Sequence, residues 1–200
     1  MKGNKILNND PSLYLALIHH PVLNKRGEII TTSVTNMDLH DIARSCRTYG
    51  IKKYFIVTPI ELQKELVDKI LSYWQELEAI EFNKDRHSAL SLIQVVPSFD
   101  DAIKEIEILE NGNTPLVTAT SACPNTKTST PEAYMKTLSE ENRPGLILFG
   151  TGHGLSSQIT EKCDFMLMPI VGKAKDHYNH LSVRSAVAIY CDRLYREKDK

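Results

Sequence analysis

Six short, nearly unbroken apolar runs divide this sequence: Leu13–Ile18, Tyr54–Val57, Ser91–Val96, Leu116–Ala119, Leu146–Phe149 and Phe165–Met168. A strand covered on both faces reads as a continuous apolar run, whereas a strand with one wet face alternates. Between the runs, residues 36–49, 60–80, 99–111, 131–141, a short piece near 155–160, and 180–197 carry apolar positions at helical spacing. This alternation predicts an α/β architecture, a mostly parallel sheet of about six strands with helices on both faces. Turns are marked by Gly50, Pro59, Pro97, Asn111-Gly-Asn113, Pro124 and Pro144-Gly145. No repeat, low-complexity tract or long linker interrupts the pattern, so residues 1–200 are expected to form one domain.

Composition narrows the function classes. Net charge is −1, where a nucleic-acid binder usually shows a basic surplus, so any such role must rest on a local patch. The best patch is residues 173–200, with seven Lys/Arg against four Asp/Glu, plus His177 and His180; a solvated helix end explains the same residues. No apolar run approaches the roughly 20 residues of a spanning helix. The segment from Met1 to Asp10 has two lysines and no long apolar core, unlike a secretory signal. Cys46, Cys123, Cys163 and Cys191 are scattered without a CxxC pair, which points to reduced thiols in a cytoplasm.

The chemistry concentrates near the carboxyl end. The run ending at Met168 stops at Pro169, and a polar loop carrying Gly172, Lys173, Lys175 and His177 follows. Then Val183, Ala186, Val187, Tyr190, Cys191 and Leu194 recur as one stripe at helical period. A strand end, a loop and a helix start pressed together leave backbone groups without partners, a ready site for a small ligand. Upstream, Gly150-Thr-Gly-His-Gly-Leu155 follows another strand, and glycines let a backbone approach a ligand closely. It lacks the spacing of a dinucleotide fingerprint, and no Gly-Lys-Ser/Thr follows as in a Walker A loop.

A second polar constellation lies near the first helix. Thr35 reads as its N-cap with Asp38 three residues on, and Leu39, Ile42, Ala43, Cys46 and Tyr49 form its apolar stripe. Asn36, His40 and Arg44 stack at i, i+4 and i+8 with Arg47 close by, an array able to orient a hydroxyl or phosphate or simply to face solvent. A metal set drawn from His19, His20, Asp38, His40 and Asp41 has no HExxH or Cys/His ligand spacing behind it, and no metal is expected.

Taken together, these blocks resemble the SPOUT class, α/β-knot methyltransferases that use S-adenosylmethionine (SAM) on RNA. An asparagine, Asn36, leads to Arg44, with Gly50 six residues beyond; the glycine loop starts at Gly150; and Met168-Pro-Ile170 precedes His180-Leu-Ser-Val-Arg-Ser-Ala186. Within the class, His20-Pro21, Asn24-Lys25, Gly27, Thr32 to Arg44 and Thr48 to Gly50 resemble a small bacterial family of SAM-dependent RNA methyltransferases. Members of that family also occur fused to a tRNA guanine-N1 methyltransferase. Gly152 stands where many ribose methyltransferases have glutamate, and Ser182 where they have asparagine, so oxygen and nitrogen acceptors both stay open.

The resemblance implies a C-terminal trefoil knot and a bent SAM held by Thr118, Ala119, Thr120, Phe149, Gly150, Thr151, Gly152, Gly154, Met168, Pro169, Ile170, Gly172, His180, Leu181 and Ser182. Leu148, Ile170 and Leu181 would flank the adenine. It also implies an RNA substrate, tRNA foremost and its ribose 2'-oxygen as one acceptor, and a homodimer to which Tyr190 and Tyr195 would contribute unless they are core. Methyl transfer at a sulfonium carbon is an in-line displacement without a metal, so positioning supplies much of the catalysis. Relatives often assign the base to the arginine matched by Arg44, but a guanidinium stays protonated. Arg44 and Asn36 are therefore expected to hold the acceptor, with His20 or His40 taking its proton. The alternatives are a non-catalytic SAM- or nucleotide-binding regulatory module on the same fold, and a metal-dependent hydrolase built on His20, Asp38 and His40.

Overall fold

The computed structural model describes residues 10–122, 128–176 and 178–195. Readings that fall on Met1 to Asn9, Cys123, Pro124, His177 and 196–200 lie outside the described residues. The sheet is formed by β1 (Leu13–Ile18), β4 (Tyr54–Val57), β5 (Ile93–Val96), β6 (Leu116–Ala119), β7 (Gly145–Gly150) and β8 (Phe165–Met166). Their order is β5-β4-β1-β7-β6-β8, and every pairing is parallel. β1 is completely buried, as its unbroken apolar run predicts.

Side-chain alternation along β1 divides the core into two layers. Leu13, Leu15 and Leu17 pack with α1 (Asn36–Thr48), α6 (Pro131–Glu141) and α8 (Val183–Tyr195), while Tyr14, Ala16 and Ile18 pack with α5 (Phe99–Leu109) and α7 (Ser157–Thr160). Helices therefore cover both faces. α1 buries Leu39, Ile42, Ala43 and Cys46, and α8 buries Val187, Tyr190, Cys191 and Leu194. The larger aliphatic ones, Leu39, Ile42, Val187 and Leu194, each contribute about 1.5–3 kcal/mol when fully buried. Cys46 and Cys191 are small buried core groups, and burial raises both thiol pKa values, that of Cys191 to about 12.

Caps fix the helix starts. Thr35 Oγ1 accepts from the Asp38 amide at 3.2 Å as the expected N-cap, and its hydroxyl donates to Asp38 Oδ2 at 2.6 Å, a side-chain bond in place of the backbone return bond of a capping box. Ser182 Oγ accepts from the Ser185 amide at 3.2 Å at the start of α8, three residues later than the periodicity predicts.

Other boundaries also depart from the sequence pattern. The helix expected over 60–80 is divided into α2 (Glu61–Gln75) and α3 (Leu77–Phe82), because Glu76 is extended at φ −66°, ψ 142°. A further helix, α4 (Lys84–Leu90), starts at Asn83, whose side chain accepts from the Arg86 amide. Between β1 and α1 lies a hairpin of β2 (Val22–Leu23) and β3 (Ile29–Ile30). Strand pairing stops at Met166, two residues short of the apolar run, and Leu167 bridges Ser129 instead.

The fully buried Tyr134 on α6 donates its hydroxyl to the Leu116 carbonyl at 2.7 Å, tying helix to strand. Tyr134→Phe leaves that acceptor without its donor and is expected to lower stability by about 1–2 kcal/mol in urea unfolding, with the m-value unchanged.

Candidate cofactor and RNA site

Parallel strands end at one edge, so the turns after β1, β6, β7 and β8 meet there. The order runs outward from β1 to β4 and β5, then resumes beyond it with β7 and β6. Such a reversal leaves a crevice at the carboxyl ends of the strands, where ligands of open α/β sheets bind. Gly150 and Thr151 lie beside the end of β1: Thr151 Oγ1 donates to the Ile18 carbonyl at 3.0 Å and bonds Thr32 Oγ1.

The glycine loop is held by the hairpin. His153 N donates to the Leu23 carbonyl (2.8 Å), and Leu23 N to the Gly154 carbonyl (2.9 Å). Gly152 has φ +60°, and a Cβ there would lie 2.8 Å from the Leu23 carbonyl oxygen. A glutamate like that of ribose-methylating relatives has no room on this backbone, so the departure at Gly152 goes with the hairpin packed against it.

The turn after β8 is braced from within. Asn179 accepts from the Gly172 amide (3.1 Å) and donates to the Ile170 carbonyl (2.8 Å), while Tyr190 OH donates to the Met168 carbonyl (2.9 Å). Met168, Val171 and Leu181 leave large apolar surfaces exposed around this turn. At the end of β6, Thr120 bonds the Leu148 carbonyl through both N and Oγ1, and the buried Thr118 Oγ1 has no protein partner. Exposed apolar side chains, a buried hydroxyl without a partner and tightly turned glycines suit an adenosyl group, which needs hydrophobic cover and a few polar contacts. Sequence reasoning missed the bracing by Asn179, whose role arises only from the loop's closed shape.

The first-helix residues separate. Arg44 lines an open cavity of about 600 Å³ between α1 and α8 with Asp41, Ser45, Thr48, Tyr49, Ser182, Arg184 and Ser185, which brings it into the same cavity as Ser182. Arg184 pairs with Asp38 Oδ1 (3.3 Å) and Asp41 Oδ2 (3.5 Å), a contact the sequence did not signal. His40 points elsewhere: its ring meets Trp74 edge-on at 5.7 Å, and burial, with help from Arg86 and Arg44, lowers its pKa. His20 Nδ1 bonds Thr31 Oγ1 at 2.9 Å, and Asn36 is exposed at the first turn of α1. Of the five residues weighed as metal ligands, Asp38 and Asp41 are held by Arg184 while His20 and His40 meet Thr31 and Trp74, and among the described residues no three His/Cys/Asp/Glu side chains group as a metal set. Tyr190 and Tyr195 pack inside the chain, against Phe149 and Tyr49 respectively.

This fold is similar to that of solved SpoU methyltransferases. The structure superposes on the SpoU methyltransferase AviRb from Streptomyces viridochromogenes, solved in complex with AdoMet, with a TM-score of 0.57, 15% identity, and coverage of 92% of this chain and 57% of that one. The family described as SAM-dependent RNA methyltransferase matches residues 12–196, and the chain belongs to it. It is 44% identical over 183 residues to a tRNA (guanine-N(1)-)-methyltransferase of Oleidesulfovibrio alaskensis, covering 92% of this chain but only 42% of that protein. An uncharacterized protein of Aquifex aeolicus is 40% identical over 184 residues, with 92% of this chain and 88% of that one covered. The regulatory-module and hydrolase alternatives find no support in this membership. Among the described residues, no helix is long and apolar enough to cross a membrane.

His19 gives the site a pH signature. It is fully buried, its Nδ1 bonds Thr32 Oγ1 at 3.0 Å, and its Nε2 has no protein partner. Burial outweighs the attraction of Asp38 and lowers its pKa to about 4. Above pH 6.5 the ring is neutral folded or unfolded, and its environment is fully tolerated. As pH falls from 6.5 to about 4, the unfolded chain takes up the proton first, and stability drops by about 3 kcal/mol. Urea unfolding across that window should show the loss in the wild type and a flatter profile in His19→Asn; NMR titration of the wild-type ring above 6 would contradict it.

Proposed function

We propose that the turns at Thr118–Thr120, Phe149–Gly154, Met168–Gly172 and His180–Ser182 hold SAM, and that the chain methylates tRNA in the cytoplasm. The observation that carries the cofactor reading is the convergence of these turns at one sheet edge, with Met168, Val171 and Leu181 exposed and Thr118 Oγ1 buried without a partner. When bound, SAM supplies an electrophilic methyl carbon. Glycine backbones and Thr118 would meet its polar edges, while Leu181 and Ile170 would cover the adenine from the braced turn.

tRNA is the reading favoured by the named activity of the Oleidesulfovibrio alaskensis relative, of which this chain spans 42%. Arg44, in the cavity it shares with Ser182, would clamp the acceptor nucleotide, with Asn36 in support. Of the two proton acceptors, His40 has its pKa lowered and stays neutral at neutral pH, whereas His20 stands nearer the glycine loop through the β2–β3 hairpin. Residues 1–200 are proposed to form one domain with a C-terminal trefoil knot and to pair as a homodimer. The open α1–α8 cavity, with Arg44 on one wall and Ser182 on the other, favours a second copy completing the site.

Calorimetry with SAM followed by tritiated-methyl transfer to bulk tRNA and ribosomal RNA tests this reading. Binding with transfer to tRNA is expected; binding without transfer to either RNA would return the chain to a regulatory module. Arg44→Lys should lower kcat/KM by at least tenfold with SAM affinity retained. Because His40 turns toward Trp74, His40→Ala is expected to leave the acid limb of the pH–rate profile in place, and loss of that limb would make His40 the base. An unchanged profile would assign the proton to His20.

A further inference from the structure

Beside the acceptor wall lies a second cleft, of about 480 Å³, between the C-terminal half of α1 and α4. Its lining is polar: Arg44, Arg47, Thr48, Asn83, Asp85, Arg86 and Ser88, with only Ala89 apolar. Among the described residues, none of the three arginines lies within ion-pairing distance of a carboxylate, although Asp85 shares the lining. Two of them are nevertheless positioned. Arg47 Nε donates to Ser88 Oγ at 2.7 Å, and the Arg86 guanidinium lies 5.3 Å from the Trp74 ring centroid, with its Nε buried and without a partner. Three guanidiniums without an ion pair face one cleft with a single carboxylate, Asp85, among them, and the planar fork of arginine matches phosphate oxygens.

The cleft also adjoins the α1–α8 cavity, since Arg44 and Thr48 line both. Arg44, Arg47 and Arg86 thus follow one another from α1 to α4, beside an Arg184 already paired with Asp38 and Asp41. A chain of net charge −1 that binds RNA needs such a local concentration.

We infer that the α1–α4 cleft is a track for the RNA phosphodiester backbone, with Arg47 and Arg86 as phosphate clamps and Arg44 as the junction with the acceptor wall. This rests on the RNA methyltransferase reading and adds to it a binding surface supplied by α4. Asp85 sets a limit on the attraction, because its carboxylate faces the same phosphates.

Fluorescence anisotropy of labelled bulk tRNA, with ribosomal RNA as a second probe, tests the track over a series of salt concentrations using the full chain. Arg47→Gln and Arg86→Gln should each weaken binding several-fold and reduce the log–log salt slope by about one, whereas Arg47→Lys and Arg86→Lys keep the slope. Asp85→Asn should tighten binding, and calorimetric SAM affinity should match wild type throughout. Should Arg86→Gln fail to fold, Arg47→Gln, at an exposed position, carries the test alone. Glutamine variants that bind RNA with wild-type affinity and slope overturn the track and leave the methyltransferase reading standing. A wild-type chain that binds SAM but neither RNA overturns the reading beneath, and the track with it.

Discussion

The parallel pairing of Gly145–Gly150 with Leu13–Ile18 is the constraint on which the rest of this molecule depends. It inserts a late strand between the first strand and β6, so that Gly150 is in register with Ile18 and the glycine loop lies beside His19. The same register sends Leu146 and Leu148 toward α5 and α7, and Ile147 and Phe149 toward α1 and α8. A slip of one residue would exchange the two faces and move the glycine loop away from Thr32 and the hairpin. Site and core are therefore specified by one set of contacts.

Helix α1 then separates two electrostatic settings. Along one edge, Asp38 and Asp41 hold Arg184 and so anchor the start of α8 near Ser182. Beyond Arg44, which lines both cavities, Arg47 and Arg86 lie around the α4 cleft with no ion pair among the described residues. The Arg184–Asp41 pair, open at Asp41, adds little stability, while the part-buried Arg184–Asp38 pair orients the guanidinium and the helix start relative to the turn that ends at Ser182. The acceptor wall and the basic cleft meet at Arg44.

Much of this was legible in the sequence, for identifiable reasons. Strands buried on both faces announce themselves as unbroken apolar runs, and the stripes of α1 and α8 repeat at helical period, so the sheet and its two layers followed directly. Lys84–Leu90 did not, because only Ala89 and Leu90 of that helix are buried and its start depends on the Asn83 cap. The two-residue strands of the hairpin are too short to carry a period, yet they fix the glycine loop through Leu23. At the site, spacing placed Asn36, His40 and Arg44 on one helix face correctly, but only the packing of α2 and α4 decides that His40 meets Trp74 while Arg44 faces Ser182. Partners from distant segments, such as Arg184 for Asp38 or Asn179 for Ile170, leave no local signature.

The central claim is that separate turns, after β6, β7 and β8 and before α8, close around one adenosyl group. Hydrogen–deuterium exchange of the chain with and without SAM measures this most directly. Slowed exchange confined to residues 118–120, 149–155 and 168–182 is the predicted result. Protection centred on the outer strands β4 and β5, or none at saturating SAM, would contradict it.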